Sequence, residues 1–321
     1  MSSARGSGLD RMQVEPGGPT APNTFLIGAP KCGTTALAQY LSAHPGGFLS
    51  YPKEPSFWSD DLKRAQTVVR LGGLQDYLGL YANAGGHSVI LDASTSTLFS
   101  KTALPAILEF APQAKFIVML RNPVEVAQAY HMEKCFNLFE NVSDFEQAWR
   151  LQDQRAAGLC LPPLCVEPKE LMYRDVAALG TQLDRAGALI PEGRLLVLFY
   201  EDLRADPRRM WQNVLAFLGL PDDGRCDFPV IGGAHFNRFP ALARFYQNPP
   251  EPLKPLIRGT KKMLRKDMGG ANLAKRLLVK NKPRDDLSAA FRSELAGFFA
   301  PEVEMLEART GRDLSHWKTL P

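Results

Sequence analysis

The stretch Thr24-Phe-Leu-Ile-Gly-Ala-Pro-Lys-Cys-Gly-Thr-Thr-Ala-Leu37 decides how this chain is read. Thr24–Gly28 is an apolar run of strand length that ends in a glycine-bearing turn. A helix is predicted from about Thr34 to Ala43, with Leu37, Ala38 and Leu41 on its apolar face and His44-Pro45 as its stop. Gly28 and Gly33 have the spacing of the nucleotide phosphate loop G-x-x-x-x-G-K-[ST], but Thr34 stands where its lysine belongs. A lysine sits inside the loop instead, at Lys31. Gly33 lets the backbone turn tightly, and the N–H groups that open the helix point at an anion. Thr34 and Thr35 add hydroxyl donors. The lysine that reaches β- and γ-phosphates is missing, and no acidic residue on a strand suggests magnesium. The loop therefore suits one tetrahedral anionic group with a cation beside it, and no metal is expected.

Two further strand-then-helix units lie downstream. Lys115–Leu120 leads into Arg121-Asn122-Pro123, where Asn122 is a good N-cap and Pro123 a good first residue for a helix through Val126 and Tyr130. Leu195–Tyr200 leads through a loop, Glu201-Asp202-Leu203, to a helix carrying Trp211, Val214, Leu215 and Leu218 and closed at Gly219. Ser143-Asp144-Phe145-Glu146 reads as a capping box opening another helix. Uninterrupted apolar strands alternating with helices predict an α/β fold, a single P-loop-type domain whose central parallel sheet is flanked by helices. Ligands of such sheets sit at the carboxyl ends of the strands, here Lys31 to Thr35, Arg121-Asn122 and Glu201-Asp202. The domain is expected over residues 24–321. Residues 1–23, rich in Ser, Gly and Pro and lacking an apolar core segment, read as a disordered tail and not a signal peptide.

The chain has 321 residues, is 45% hydrophobic and 22% charged, and carries a net charge of +4, too small to argue for nucleic acid. The charge is unevenly spread. Residues 254–284 hold eleven Lys or Arg against the single acid Asp267, which leaves the rest of the chain net negative. Interleaved leucines make this stretch either a solvated helix face or a peripheral contact with an anionic membrane surface. No apolar run approaches membrane-spanning length. Five scattered cysteines, Cys32, Cys135, Cys160, Cys165 and Cys226, complete no zinc pattern and fit free thiols in the cytoplasm. Cys160–Leu171, with three prolines, reads as an irregular loop.

Taken together, these motifs resemble the P-loop sulfotransferase superfamily, specifically a bacterial branch similar to heparan sulfate sulfotransferases. The resemblance implies 3′-phosphoadenosine 5′-phosphosulfate as the sulfonate donor. Lys31 would contact its 5′-phosphate and bridging oxygen, with Cys32, Gly33, Thr34 and Thr35 completing the cradle. Phe116–Val124 is similar to the family's 3′-phosphate segment, which implies Arg121 as a ligand. Tyr51–Trp58 is similar to the segment that carries the catalytic base, which implies Glu54. Leu91–Thr95 resembles a substrate segment and implies Asp92 and Ser94. Lys280-Asn281-Lys282 corresponds to the basic segment that closes over the nucleotide, and Thr310–Trp317 to the family's closing motif.

The chain departs from the pattern in three places. Ala129 stands where the family offers a serine to the 3′-phosphate, with Tyr130 and His131 as neighbours that could compensate. Ala93 replaces a lysine of the substrate segment, and Lys282 replaces an arginine fork. The expected activity is sulfonate transfer to a hydroxyl or amine of a small metabolite, lipid or carbohydrate. An inactive nucleotide-binding relative and a P-loop kinase are the competing readings.

Overall fold

Phe116–Leu120 is buried at every position, which only a strand covered on both faces requires. The computed structural model describes residues 20–63, 71–229, 231 and 286–319, together with the backbone of 235–237 and 279–281. Its first elements are β1 (Thr24–Gly28), α1 (Thr34–Ala43), β2 (Gly47–Leu49), α2 (Leu74–Gly79), β3 (Val89–Asp92), α3 (Ser96–Phe99) and α4 (Ala103–Phe110). Next come β4 (Lys115–Leu120), α5 (Pro123–Phe136), α6 (Phe145–Arg150), α7 (Gln152–Ala156), α8 (Tyr173–Val176) and α9 (Leu179–Leu189). The last are β5 (Leu195–Phe199), α10 (Tyr200–Ala205), α11 (Pro207–Leu218), β6 (His235–Asn237), β7 (Val279–Asn281) and α12 (Ala289–Thr310).

The expected α/β architecture is present. Five strands pair in the order β2-β3-β1-β4-β5, every neighbouring pair parallel, and helices flank the sheet. All five carboxyl ends therefore lie on one edge. Successive strands leave β1 in opposite directions, toward β3 and toward β4, so the crevice of such sheets opens beside the end of β1. That is where Lys31 to Thr35 begin α1.

Local rules account for most boundaries. α1 stops at Ala43 as predicted, with the His44 N–H returning to the Leu41 carbonyl. α5 opens on Asn122, whose Oδ1 accepts from the Val124 N–H at 2.9 Å, with Pro123 at the first helical position. α11 ends on Gly219 in the left-handed region, φ 76.

Two readings are corrected. α6 is capped by Asp144, not Ser143: its Oδ1 accepts from the Gln147 N–H at 2.8 Å. Starting one residue later turns Phe145, Ala148 and Trp149 into the core, and aspartate caps as well as serine does. Glu201-Asp202-Leu203 is not a loop but part of α10, which follows β5 directly. Two carboxylates in a helix's first turn face its positive end, a favourable placement.

Ordered contacts begin before Thr24. Asn23 bonds through its backbone to Ile90 and Lys115, joining the ends of β3 and β4. The expected tail lies outside the described residues up to 19. The basic stretch is described only at the backbone of β7, where Lys280 pairs with Phe236; Lys282 lies outside the described residues. No helix among the described residues is long and apolar enough to cross a membrane.

The closing motif docks onto the strand ends. Arg312 chelates both Asp202 oxygens and stacks over Phe199, 4.2 Å from the ring centroid. The buried Trp317 donates its indole N–H to Glu201, and its carbonyl accepts from Asn122 Nδ2 at 3.5 Å. Arg312→Ala is expected to lose about 1 kcal/mol of stability, since a part-exposed bidentate pair disappears together with its packing on Phe199. A urea titration should show a lower midpoint at unchanged slope.

Candidate active site

The loop's shape follows from Gly33. Its φ of 88 caps α1 in the left-handed region, where a side chain is strained. A Cβ there would also meet Leu203 and Tyr200 at 3.0 Å. Gly33→Ala is therefore expected to cost about 1–2 kcal/mol and to lower the melting temperature while leaving the sheet's far-ultraviolet signature intact. Lys31 itself sits at φ 63. The Ala29 N–H donates to the Met119 carbonyl at 2.8 Å, fastening the loop to β4. Cys32 turns its thiol into the core, where burial pushes it up to about 12. What Cys32 offers the loop is its backbone. Thr34 is buried and Thr35 half-buried at the helix start.

Two cations meet at the loop. Arg121, from the end of β4, donates through Nη1 to the Lys31 carbonyl at 3.3 Å. Its Nε is bonded to Glu125, and its guanidinium lies 4.5 Å from the Tyr200 ring centroid. Lys31 Nζ lies 3.0 Å from Glu133 Oε2 on α5.

Glu54 arrives from the segment that follows β2. Thr95 Oγ1 donates to Glu54 Oε2 at 2.9 Å and Lys53 Nζ to Oε1 at 2.8 Å. The Thr95 carbonyl lies 3.3 Å from where a Gly28 Cβ would stand, so Thr95 joins Glu54 to the start of the phosphate loop. Asp92 lies deeper, 1% exposed. Its two oxygens accept from Ser94 at 2.6 Å and Tyr77 at 2.7 Å, and burial holds its carboxyl above the usual range. Ser94 Oγ in turn accepts from the Ser56 N–H at 2.9 Å. Asp92 and Ser94 thus brace the turn that carries Glu54.

Around Ala129, His131 points inward. Its Nε2 is 2.8 Å from the Val142 carbonyl, it packs on Phe145 and Tyr173, and burial lowers its basicity. Tyr130 lies under Lys134, whose Nζ is 4.5 Å from the ring centroid. The loop over Cys160–Leu171 ends in a 3-10 turn, Pro168–Leu171. Glu170 pairs with Lys134, and Lys169 Nζ donates to the Asp61 carbonyl at 2.8 Å, so this segment docks between α5 and residues 59–63.

The sequence did not single out Thr95, Glu133 or Tyr200. Glu133 carried a faint signal: it lies eight residues after Glu125, so both occupy one helix face.

A glycine turn opening α1 at the switch point of a parallel sheet, with Arg121 alongside, has the geometry of an anion cradle. The family model for the sulfotransferase domain matches residues 21–228, well over half of the chain. The chain belongs to the sulfotransferase family, whose general reaction is transfer of sulfonate from 3′-phosphoadenosine 5′-phosphosulfate. It is 24% identical to the human bifunctional heparan sulfate N-deacetylase/N-sulfotransferase 2 over 210 residues, 62% of this chain and 22% of that protein. It is 34% identical to mouse carbohydrate sulfotransferase 15 over 146 residues, 32% of this chain and 26% of that protein. The chain thus spans only about a quarter of the length of these curated relatives. A crystal structure of a sulfotransferase from Alicyclobacillus acidocaldarius shares the fold, with a TM-score of 0.69 at 24% identity over 94% of this chain and all of that one.

Proposed function

We propose that this chain is a sulfotransferase using 3′-phosphoadenosine 5′-phosphosulfate, with Glu54 as general base. One observation carries the reading. The edge of the sheet that holds the Lys31–Thr35 loop and two cations also holds a carboxylate, Glu54, whose partner Thr95 lies against Gly28 at the start of that loop. The residues fit the donor: Lys31 and Arg121 supply charge for its phosphates beside the N–H groups that open α1. The donor supplies a sulfonate on a phosphate leaving group. Lys31 and the loop N–H groups stabilise negative charge on that phosphate, while Arg121 holds the 3′-phosphate. Glu54 takes the proton from the acceptor hydroxyl or amine. Thr95 and Lys53 fix the direction of its carboxylate, and Asp92 and Ser94 hold the turn beneath it. Lys280 and Lys282 complete the nucleotide's cover in this reading.

The acceptor is a metabolite, lipid or carbohydrate. The relatives' names point to carbohydrates, and Ala93 argues against an acceptor as anionic as heparan. The protein is expected to act in the cytoplasm.

The test is an incubation of the protein with donor and a panel of acceptors, followed for release of adenosine 3′,5′-bisphosphate and for product mass. Tight nucleotide binding without release across a broad panel would favour an inactive relative. Displacement of the donor by magnesium–ATP would favour a kinase and overturn the assignment of Lys31.

A further inference from the structure

Lys31 reaches Glu133 across 102 positions of sequence because α5 runs on from β4, the strand beside β1. Glu125, Ala129 and Glu133 are spaced by four and share one face of α5. The first pairs with Arg121 and the last with Lys31, and the small Ala129 lies between them. One helix face therefore supplies a carboxylate to each of the two cations assigned to the donor.

The Lys31–Glu133 pair is built for exchange. Its side chains are 28% and 36% exposed, and at such exposure an ion pair is screened and contributes little to stability. A phosphosulfate seated in the loop would claim the same ammonium. Lysine has three N–H donors, so it can be shared or handed over. In either case the Glu133 charge stays within a few ångströms of an anionic ligand and repels it.

We propose that Glu133 is a positioning residue that acts through Lys31, competing with the donor's phosphosulfate for the ammonium. It thereby sets how tightly the nucleotide is held and how fast the spent bisphosphate leaves. This rests on the donor reading given above. A purely structural Glu133 would instead anchor α5, and its loss would lower the melting temperature without tightening any ligand.

The experiment is a calorimetric titration of adenosine 3′,5′-bisphosphate into the wild type, Glu133→Gln and Glu133→Asp at one ionic strength, with dissociation followed by stopped flow. Glu133→Gln is expected to bind about two- to tenfold more tightly, with dissociation slowed to match. Glu133→Asp, which keeps the charge, should stay within about twofold of the wild type. Glu133→Ala provides a second neutral variant should the glutamine melt early. An unchanged or weaker affinity in a neutral variant that melts with the wild type, while the wild type itself binds, overturns this inference alone. A wild type that does not bind the bisphosphate overturns the donor reading and this inference together.

Discussion

Lys31→Ala is expected to lose the sulfonate donor. The ammonium is the loop's own cation, and removing one partner of a close charge pair at a binding site costs about 2–5 kcal/mol, roughly 30-fold to several thousand-fold in affinity. The alanine keeps a Cβ at φ 63, so the backbone is strained no more than in the parent protein. The side chain is part-exposed and its partner Glu133 is more so, which leaves the fold little to lose. A titration with adenosine 3′,5′-bisphosphate reads the effect, and a melting curve controls for folding. Affinity within threefold of the wild type would remove Lys31 from the donor contacts.

Glu54→Gln separates chemistry from binding. The glutamine retains a carbonyl oxygen for the Thr95 hydroxyl, so the turn braced by Ser94 and Ser56 stays in place. It can no longer accept the acceptor's proton. Turnover is expected to fall by about 10²–10⁴, the usual contribution of a positioned base. Donor affinity should move by no more than about twofold, because the Thr95 hydroxyl and Lys53 that hold Glu54 lie outside the Lys31–Thr35 loop. Initial rates of bisphosphate release at saturating donor, set beside the binding isotherm, give both quantities. A rate within threefold of the parent would assign the proton to another group.

What sequence reading recovers follows how far apart the deciding residues lie. β1, β4 and β5 are largely apolar runs, and Gly33, Asn122 with Pro123, and Gly219 mark ends of the helices beyond them, so periodicity and capping chemistry expose them locally. β2 is three residues long and β3 four, too short to carry a period, and both went unassigned. The helix α10 hides because Glu201 and Asp202 look like loop residues until Arg312 and Trp317 arrive, more than a hundred positions later. In the site the division is the same. The displaced lysine is visible in seven residues of sequence. The contact of Glu54 with Thr95 spans 41 positions and that of Lys31 with Glu133 spans 102, and no local rule encodes either. Asp92 shows the converse. Its neighbourhood was legible, but its burial under Tyr77 and Ser94 depends on packing.

The docking of Thr310–Trp317 onto Asp202, Glu201 and Asn122 gives the chain a timetable. During synthesis the five strands can pair as soon as β5 has emerged, since N-terminal segments fold while the rest is still being made. Asn122, Glu201 and Asp202 at the ends of β4 and β5 lack their last partners until Arg312 and Trp317 have left the ribosome. A ribosome-stalled chain halted before residue 310 should therefore be protected from protease through the sheet but cleaved readily after Leu120 and Phe199. The nascent protein acquires its frame well before Trp317 closes over Asn122, the neighbour of Arg121.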